Sequence, residues 1–331
     1  MFNDKTILIT GGTGSFGKKC VEVILRKYRP KRLIIFSRDE LKQFEMAQVF
    51  SPEKYRCMRY FIGDVRDKER LHRAFRGVAY VIHAAALKQV PAAEYNPTEC
   101  IRTNIDGAEN IVTVAADMGV KKVVALSTDK AVSPVNLYGA TKLCSDKLFV
   151  AANAFTACDT VYSVVRYGNV MGSRGSVIPF FVRKRDEGGP IPVTDRRMTR
   201  FWITLEQGVD MVLRAFMIAG GGEIFVPKIP SMKITDLAEA VAPGVNIVEV
   251  GIRPGEKLHE CMITREDSRH TADIGDCYVI KPEVFRYAGQ DGTPVDEDFE
   301  YNSGTNSRWL GMNELRVILR EQGFNVPESG V

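Results

Sequence analysis

The sequence lacks long apolar segments, a dominant charge and closely spaced cysteine pairs. No stretch approaches the roughly 20 consecutive apolar residues of a transmembrane helix, so we expect no membrane span. The formal net charge is only +4 over 331 residues, with basic and acidic residues interspersed. This balance argues against binding to nucleic acid or to a membrane surface. The first residues, 1–5, lack the layout of a signal peptide.

Cysteine and histidine are also sparse. The seven cysteines are widely spaced without a Cys-x-x-Cys pair, and the four histidines have no metal-ligand spacing. We therefore expect a cytoplasmic protein with free thiols and no metal site. The hydrophobic content of 45% and the charged content of 26% are typical of a globular protein with a sizeable core.

Strand-like apolar runs alternate with helix-length segments in the first half of the chain. The candidate strands are Thr6 to Thr10, Leu33 to Phe36, Arg59 to Ile62, Tyr80 to His83, Val123 to Leu126 and Tyr162 to Val165. The alternation predicts an α/β fold with a doubly wound parallel sheet. We expect a Rossmann domain over 1–168, rejoined by about 202–228, and a smaller substrate-binding region over 169–201 and 229–331.

A G-x-x-G-x-x-G pattern follows the first strand and opens a helix. Its glycines are Gly11, Gly14 and Gly17, and Thr13, Ser15 and Phe16 lie between them. In this strand–turn–helix context the pattern predicts a dinucleotide site, because the pyrophosphate needs close backbone approach at a helix N-terminus. A glycine-rich turn without a ligand is the alternative.

The end of the second strand favours NADP over NAD. NAD-binding folds place a carboxylate there, about 20 residues past the glycines, to hold the ribose hydroxyls. Here Ser37 and Arg38 occupy the position, and a hydroxyl and a guanidinium suit a 2′-phosphate. A solvated arginine at a helix start is the alternative. The further residues expected at the cofactor are Asp39, Lys42, Asp64, Val65, Ala84, Ala85, Ala86 and Lys88.

Tyr138 and Lys142 are four residues apart, so a helix would place them on one face, one turn apart. An ammonium beside a phenol favours the phenolate, so we expect the Tyr138 pKa to fall below its usual value near 10. With Thr128 upstream, the set resembles the extended short-chain dehydrogenase/reductase family. The resemblance implies that Thr128, Tyr138 and Lys142 form an oxidising triad and that Tyr138 and Lys142 also contact the cofactor.

Within that family, the strand end Thr128-Asp129-Lys130 resembles the inverting UDP-N-acetylglucosamine 4,6-dehydratases. The similarity spans roughly residues 5–263 and includes "HAAALKQVPAAEYNP", "LSTDKAVSPVNLYGATKLCSDKLFV" and "GIRPGEKLHE". It implies oxidation at carbon 4, elimination of water across carbons 5 and 6, hydride return to carbon 6 and inversion at carbon 5, as the first step of pseudaminic acid synthesis. It also implies a homo-oligomer.

The resemblance further implies that Lys130 removes the carbon-5 proton and that Asp129 protonates the leaving hydroxyl. Lys130 must then be neutral, and we expect burial to lower its pKa while Asp129 raises it. Because adjacent strand residues point to opposite faces, both can reach one cavity only if the strand has ended at Asp129. A surface ion pair at a turn is the alternative.

UDP-N-acetylglucosamine is the substrate that the resemblance implies. The residues expected to bind it are Lys88, Asn169, Arg174, Thr194, Met198, Arg200, Arg253 and Glu256. Three other functions stay open from the residues: a non-inverting nucleotide-sugar 4,6-dehydratase, a 4-epimerase, and a catalytically silent NADP-sensing protein. The first two use the same fold, and the third has no need for an intact triad.

Overall fold

The structure is a computed structural model that describes residues 1–156, 158–173, 175–283 and 289–326. Its strands are β1 Thr6–Thr10, β2 Arg32–Ser37, β3 Met58–Ile62, β4 Tyr80–His83, β5 Lys122–Thr128, β6 Val161–Tyr167, β7 Asn169–Val170, β8 Ile191–Val193, β9 Thr199–Ile203, β10 Ile224–Pro227, β11 Ser231–Lys233, β12 Ile247–Glu249, β13 Cys261–Ile263, β14 Thr271–Asp273, β15 Cys277–Ile280, β16 Thr293–Pro294 and β17 Tyr301–Asn302. Its α-helices are α1 Ser15–Lys27, α2 Glu40–Val49, α3 Lys68–Ala74, α4 Val90–Tyr95, α5 Pro97–Ile101, α6 Gly107–Asp117, α7 Leu137–Phe155, α8 Val177–Asp186, α9 Leu205–Ile218, α10 Ile234–Val241, α11 Arg265–Ser268 and α12 Met312–Glu321.

A large sheet forms the centre of the fold, with the strand order β16-β14-β15-β10-β6-β5-β4-β1-β2-β3. The strands from β3 to β10 in this order are parallel to their neighbours. The order β3-β2-β1-β4-β5-β6 is that of a Rossmann fold, in which ligands bind at the carboxyl ends of the strands. The predicted α/β fold with a doubly wound parallel sheet is therefore confirmed.

Apolar residues explain why β1 lies inside this sheet, between β2 and β4. All five residues of Thr6–Thr10 are buried, since strands pair with both edges and helices cover both faces. In α1, Gly17, Cys20, Val21 and Ile24 form a buried stripe at helical spacing. At the exposed C-terminal end of α1, Arg26 pairs with Glu206 and Lys27 pairs with Asp210, both on α9.

A second, smaller core lies beside the sheet. It contains Ile178, Phe181, Trp202 and Leu237, among other buried residues. Part of the segment 229–331, which the sequence assigned to substrate binding, joins the large sheet instead as β14, β15 and β16. The domain boundaries themselves stay a prediction. Among the described residues, no helix is both long enough and apolar enough to cross a membrane.

Candidate active site

A cavity of about 620 Å³ opens where the parallel strands β1, β2, β4, β5 and β6 end. This size lies within the range of roughly 300–1,000 Å³ that small-molecule sites occupy. Every residue predicted to contact the cofactor lines the cavity, from the glycine turn at Gly11 to Lys142 on α7. Thr128 and Lys130 line it too, whereas Asp129 does not.

The glycine turn after β1 is shaped by close backbone packing. Gly11 has φ +65°, and a Cβ there would lie 2.8 Å from the backbone nitrogen of Ala85. A Cβ at Gly17 would lie 2.2 Å from the carbonyl oxygen of Gly12. Helix α1 begins directly after the turn, and its N-cap is Gly14. This cradle leaves the helix N-terminus open to the cavity and fits a dinucleotide pyrophosphate.

Cations and hydroxyls surround the end of β2. The Ser37 hydroxyl lies 2.8 Å from the Thr13 hydroxyl. The Arg38 guanidinium is about half exposed and lies 3.5 Å from an Asp64 carboxylate oxygen. The Lys42 ammonium contacts Asp39 at 2.6 Å, which leaves that carboxylate paired. This edge of the cavity can bind an anionic group through Arg38 and Lys42.

Strand β5 ends at Thr128, and a 3₁₀ turn follows over Asp129–Ala131. The Thr128 hydroxyl donates to Asp129 Oδ1 at 2.9 Å and accepts from the Lys130 backbone N–H at 3.3 Å. The strand has thus ended before Asp129, which was the condition for both side chains to reach one cavity, so the alternation of side chains does not separate Asp129 from Lys130. Helix α7 packs tightly on this turn, because a Cβ at Gly139 would lie 2.1 Å from the Lys130 carbonyl oxygen.

Tyr138 and Lys142 lie one turn apart on α7, and both line the cavity. Asn136 caps this helix by accepting from the Gly139 N–H at 2.7 Å. Burial raises the pKa of the Tyr138 phenol to about 12, although the charge of Lys130 opposes the rise. The expectation of a lowered Tyr138 pKa is therefore wrong for this structure. Burial also lowers the pKa of the Lys142 ammonium, and Asp146 partly offsets that effect.

Lys130 lies between two carboxylates. Its Nζ is 3.0 Å from Asp129 Oδ1, 3.5 Å from Glu260 Oε1 and 3.5 Å from Asn169 Oδ1. Burial lowers the pKa of the ammonium, but the two carboxylates outweigh burial and raise it above its usual value. Both expected effects, lowering by burial and raising by Asp129, are therefore present, and Glu260, which the sequence did not indicate, adds to the rise.

The residues predicted to bind the substrate divide into two groups. Lys88 and Asn169 line the cavity, and burial followed by the Lys130 charge lowers the Lys88 pKa. The others described lie off the cavity wall, and Arg174 lies outside the described residues. Those off the wall are Thr194, Met198, Arg200, Arg253 and Glu256.

The described residues that do not line the cavity contact other parts of the chain instead. The Thr194 hydroxyl contacts the buried Met198 sulfur at 2.9 Å. The Arg200 guanidinium donates to the carbonyl oxygens of Thr199, Leu258 and Lys257, so it holds the 257–260 segment against β9. The Arg253 backbone N–H donates to Glu256 at 3.3 Å. Their roles toward a substrate stay predictions.

Comparison with known proteins decides the family. Residues 7–282 match the polysaccharide biosynthesis protein family. The chain belongs to this family. The relative UDP-N-acetylglucosamine 4,6-dehydratase (inverting) from Campylobacter jejuni is 57% identical over 98% of this chain and 100% of its own length. UDP-glucose 4-epimerase from Rickettsia akari is 41% identical over 96% of each chain.

A solved structure also matches this chain along nearly its whole length. The X-ray structure of Pen from Bacillus thuringiensis has a TM-score of 0.89 and 38% identity, covering 97% of this chain and 99% of that one. The Campylobacter relative confirms the resemblance to the inverting dehydratases that the sequence motifs indicate.

The sequence motifs did not indicate a buried ionic network that lies beside the cavity. The Ser127 hydroxyl donates to Asp146 Oδ2 at 2.6 Å, and Arg166 Nη2 lies 3.4 Å from the same oxygen. Asp146 follows Lys142 by four residues, so helical spacing could have indicated it. Glu260 is 130 residues from Lys130, and no local signal in the sequence connects the two.

Proposed function

We propose that the protein is a UDP-N-acetylglucosamine 4,6-dehydratase (inverting). It would convert its substrate to UDP-2-acetamido-2,6-dideoxy-β-L-arabino-hex-4-ulose. The observation that carries the proposal is the placement of Lys130, Thr128, Tyr138 and Lys142 on one cavity wall beside a dinucleotide cradle. The Campylobacter relative, similar over its full length, supports the choice of substrate and reaction.

Oxidation at carbon 4 is assigned to Tyr138, Lys142 and Thr128. A bound nicotinamide dinucleotide supplies the hydride acceptor for this oxidation and the hydride donor for the later reduction of carbon 6. Tyr138 removes the carbon-4 hydroxyl proton, and Thr128 donates a hydrogen bond to that oxygen. Because the Tyr138 pKa is about 12, the phenolate needs nearby positive charge, which Lys130 provides, and Lys142, one helical turn away, would add to it when protonated.

Elimination is assigned to Lys130 and Asp129. The new ketone acidifies the carbon-5 proton, which Lys130 takes, while Asp129 protonates the departing carbon-6 hydroxyl. Moving one proton from Lys130 Nζ to Asp129 Oδ1, 3.0 Å away, converts the ion pair into the neutral amine and acid that this step needs. Asp129 is fully buried behind Lys130, so the turn or the substrate must shift for Asp129 to reach the leaving oxygen.

The cofactor is proposed to be NADP. Arg38 and Lys42 provide two cations at the end of β2, and the Ser37 hydroxyl contacts the Thr13 hydroxyl of the glycine turn. A 2′-phosphate would receive charge-assisted hydrogen bonds there. Asp39 and Asp64 are carboxylates at this edge that oppose this choice, but Asp39 is paired with Lys42 and Asp64 with Arg66, which reduces their effect.

Product analysis tests the function. After incubation with UDP-N-acetylglucosamine in deuterated water, we expect NMR to show a 4-keto, 6-deoxy sugar with deuterium at an inverted carbon 5. A product that keeps the original carbon-5 configuration at the earliest times would mean that the protein is a 4,6-dehydratase that does not invert carbon 5. A product that has lost no water would favour the 4-epimerase that the Rickettsia relative suggests.

We further propose that the product enters pseudaminic acid synthesis, in the cytoplasm, and that the enzyme is a homo-oligomer. Exposed apolar side chains support assembly: on α2, Leu41 is 63% and Phe44 is 65% exposed, one turn apart. Light scattering after gel filtration tests assembly, and a single-chain mass of 36.9 kDa would contradict it.

A further inference from the structure

Glu260 lies directly before β13, and its carboxylate faces Lys130 without lining the cavity. Its Oε1 is 3.5 Å from Lys130 Nζ and 3.8 Å from Arg200 Nε. Its other oxygen, Oε2, lies 3.9 Å from Lys257 Nζ, which donates at shorter distance to the Val132 carbonyl oxygen. The carboxylate thus sits among three cations without a close hydrogen bond to any of them.

The burial of Glu260 sets it apart from an ordinary surface ion pair. The residue is 3% exposed, and its Oε2 has no hydrogen-bond partner among the described residues. Asp129 Oδ2, on the other side of Lys130, is likewise buried without a partner. An unpaired oxygen on a buried carboxylate costs stability, so two of them beside one amine point to a functional requirement.

We propose that Glu260 is a positioning residue that sets the basicity of Lys130, an inference that rests on the proposed function. In the resting enzyme, Asp129 and Glu260 share the Lys130 ammonium. When Asp129 carries the proton that it will give to the leaving hydroxyl, Glu260 remains as the carboxylate facing the amine. Glu260 then stabilises the ammonium that forms as Lys130 takes the carbon-5 proton. Lys130 is therefore a stronger base than it would be without the Glu260 charge.

Charges from several elements face Lys130, and the inference depends on their sum. Asp129 belongs to the same turn, Glu260 precedes β13 and Arg200 lies on β9. Lys88 follows β4 and Tyr138 lies on α7. The cations disfavour the ammonium form of Lys130 and the carboxylates favour it. Replacing one carboxylate by an amide should therefore lower the Lys130 pKa.

The test is the pH dependence of turnover. Elimination needs both the neutral amine of Lys130 and the protonated acid of Asp129, which share one proton, so the rate of dehydration should fall as pH rises through the Lys130 pKa and that proton is lost. In Glu260→Gln, loss of the negative charge lowers that pKa, and we expect the midpoint to move to lower pH by about 1–3 units. Glu260→Asp keeps the charge at a greater distance, so its midpoint should be intermediate. Glu266→Gln, an exposed glutamate on α11, should keep the wild-type midpoint.

A second readout does not need turnover. Acetic anhydride labels only neutral amines, and Lys130 is accessible because its side chain is 26% exposed. The protein is labelled without substrate over a range of pH, and peptide mass spectrometry measures the label on Lys130. The pH midpoints of labelling for wild type, Glu260→Asp and Glu260→Gln should follow the same order as those of turnover. Equal midpoints for wild type and Glu260→Gln would overturn the inference. If Glu260→Gln does not fold, a wild-type midpoint in Glu260→Asp would overturn it. A wild-type enzyme that forms no dehydrated sugar would instead refute the proposed function, and labelling would still decide the role of Glu260.

Discussion

At the residue scale, burial and neighbouring charges set the protonation of each group in the cavity. Burial lowers the pKa of Lys142 and Lys88 and raises that of Tyr138 to about 12. Carboxylates reverse the effect at Lys130. Lys130, which faces Asp129 and Glu260, is thus the amine held most firmly as an ammonium. Its proton has to move before elimination begins.

Tyr138→Phe and Asp129→Asn should separate oxidation from elimination. Without the phenol, the carbon-4 proton has no acceptor, so we expect reduction of the bound cofactor by substrate to slow about 10²–10⁴-fold. In Asp129→Asn the oxidation remains possible but the leaving hydroxyl lacks its acid, so reduced cofactor should accumulate. Stopped-flow absorbance measures both. Indistinguishable traces for the two variants would contradict the assignment of roles.

Arg38→Ala should reduce the preference for NADP over NAD. Arg38 is half exposed and bound only weakly to Asp64, so it can turn to a 2′-phosphate. A charge-assisted hydrogen bond of this kind contributes about 1.5–3 kcal/mol. Calorimetry should therefore show NADP binding weakened by roughly 10–100-fold, with NAD binding little changed. Tighter binding of NAD than of NADP by the wild type would refute the cofactor proposal.

At the element scale, the strands could be predicted from apolar runs, whereas the turn after β5 could not be. The central strands begin and end within two residues of their predicted bounds, because buried parallel strands are continuous apolar segments. The turn at Asp129–Ala131 depends on α7, which packs against its backbone through Gly139. That packing is tertiary, so neither the turn nor the position of Lys130 follows from local sequence.

Gly139→Ala should disturb this packing and the catalytic turn together. The added methyl would lie 2.1 Å from the Lys130 carbonyl oxygen, a backbone atom that cannot move alone. We expect a loss of about 1–3 kcal/mol in the free energy of unfolding and a larger loss of turnover than of cofactor binding. Gly189→Ala is the control, since a Cβ there meets no atom within 4 Å. Equal stability and turnover in the two variants would show that the turn tolerates displacement.

At the scale of the whole molecule, distant segments complete the site. Residues near 257–260 reach the catalytic turn from beyond β9, and Arg200 holds them there through backbone carbonyl oxygens. Sequence motifs indicated the cofactor cavity residue by residue, since its parts follow successive strands of one sheet. The motifs missed Glu260, because a contact between distant segments leaves no spacing pattern in the sequence.

A buried histidine should make the stability of the whole fold depend on pH. Thr10 on β1 accepts from the Ala84 and Ala85 N–H groups at 3.2 Å, so its single hydroxyl proton is left to donate to His83 Nδ1 at 2.9 Å. His83 is therefore held neutral at the junction of β1 and β4, beside the cofactor cavity. Burial, together with the Lys142 charge, lowers its pKa from 6.5 to about 3.

The sign of the effect follows from proton uptake. The unfolded chain binds a proton at His83 below pH 6.5 and the folded chain does not until about pH 3. Stability from this group is thus complete above pH 6.5 and falls by about 1.4 kcal/mol per pH unit as pH decreases toward 3. His83→Asn retains an acceptor for Thr10 without titrating. We expect urea unfolding between about pH 4 and pH 7 to show a smaller slope of stability with pH in this variant than in the wild type. Parallel stability curves for wild type and His83→Asn would mean that His83 is already protonated in the folded chain, and the hydrogen bond from Thr10 would then have to be reassigned.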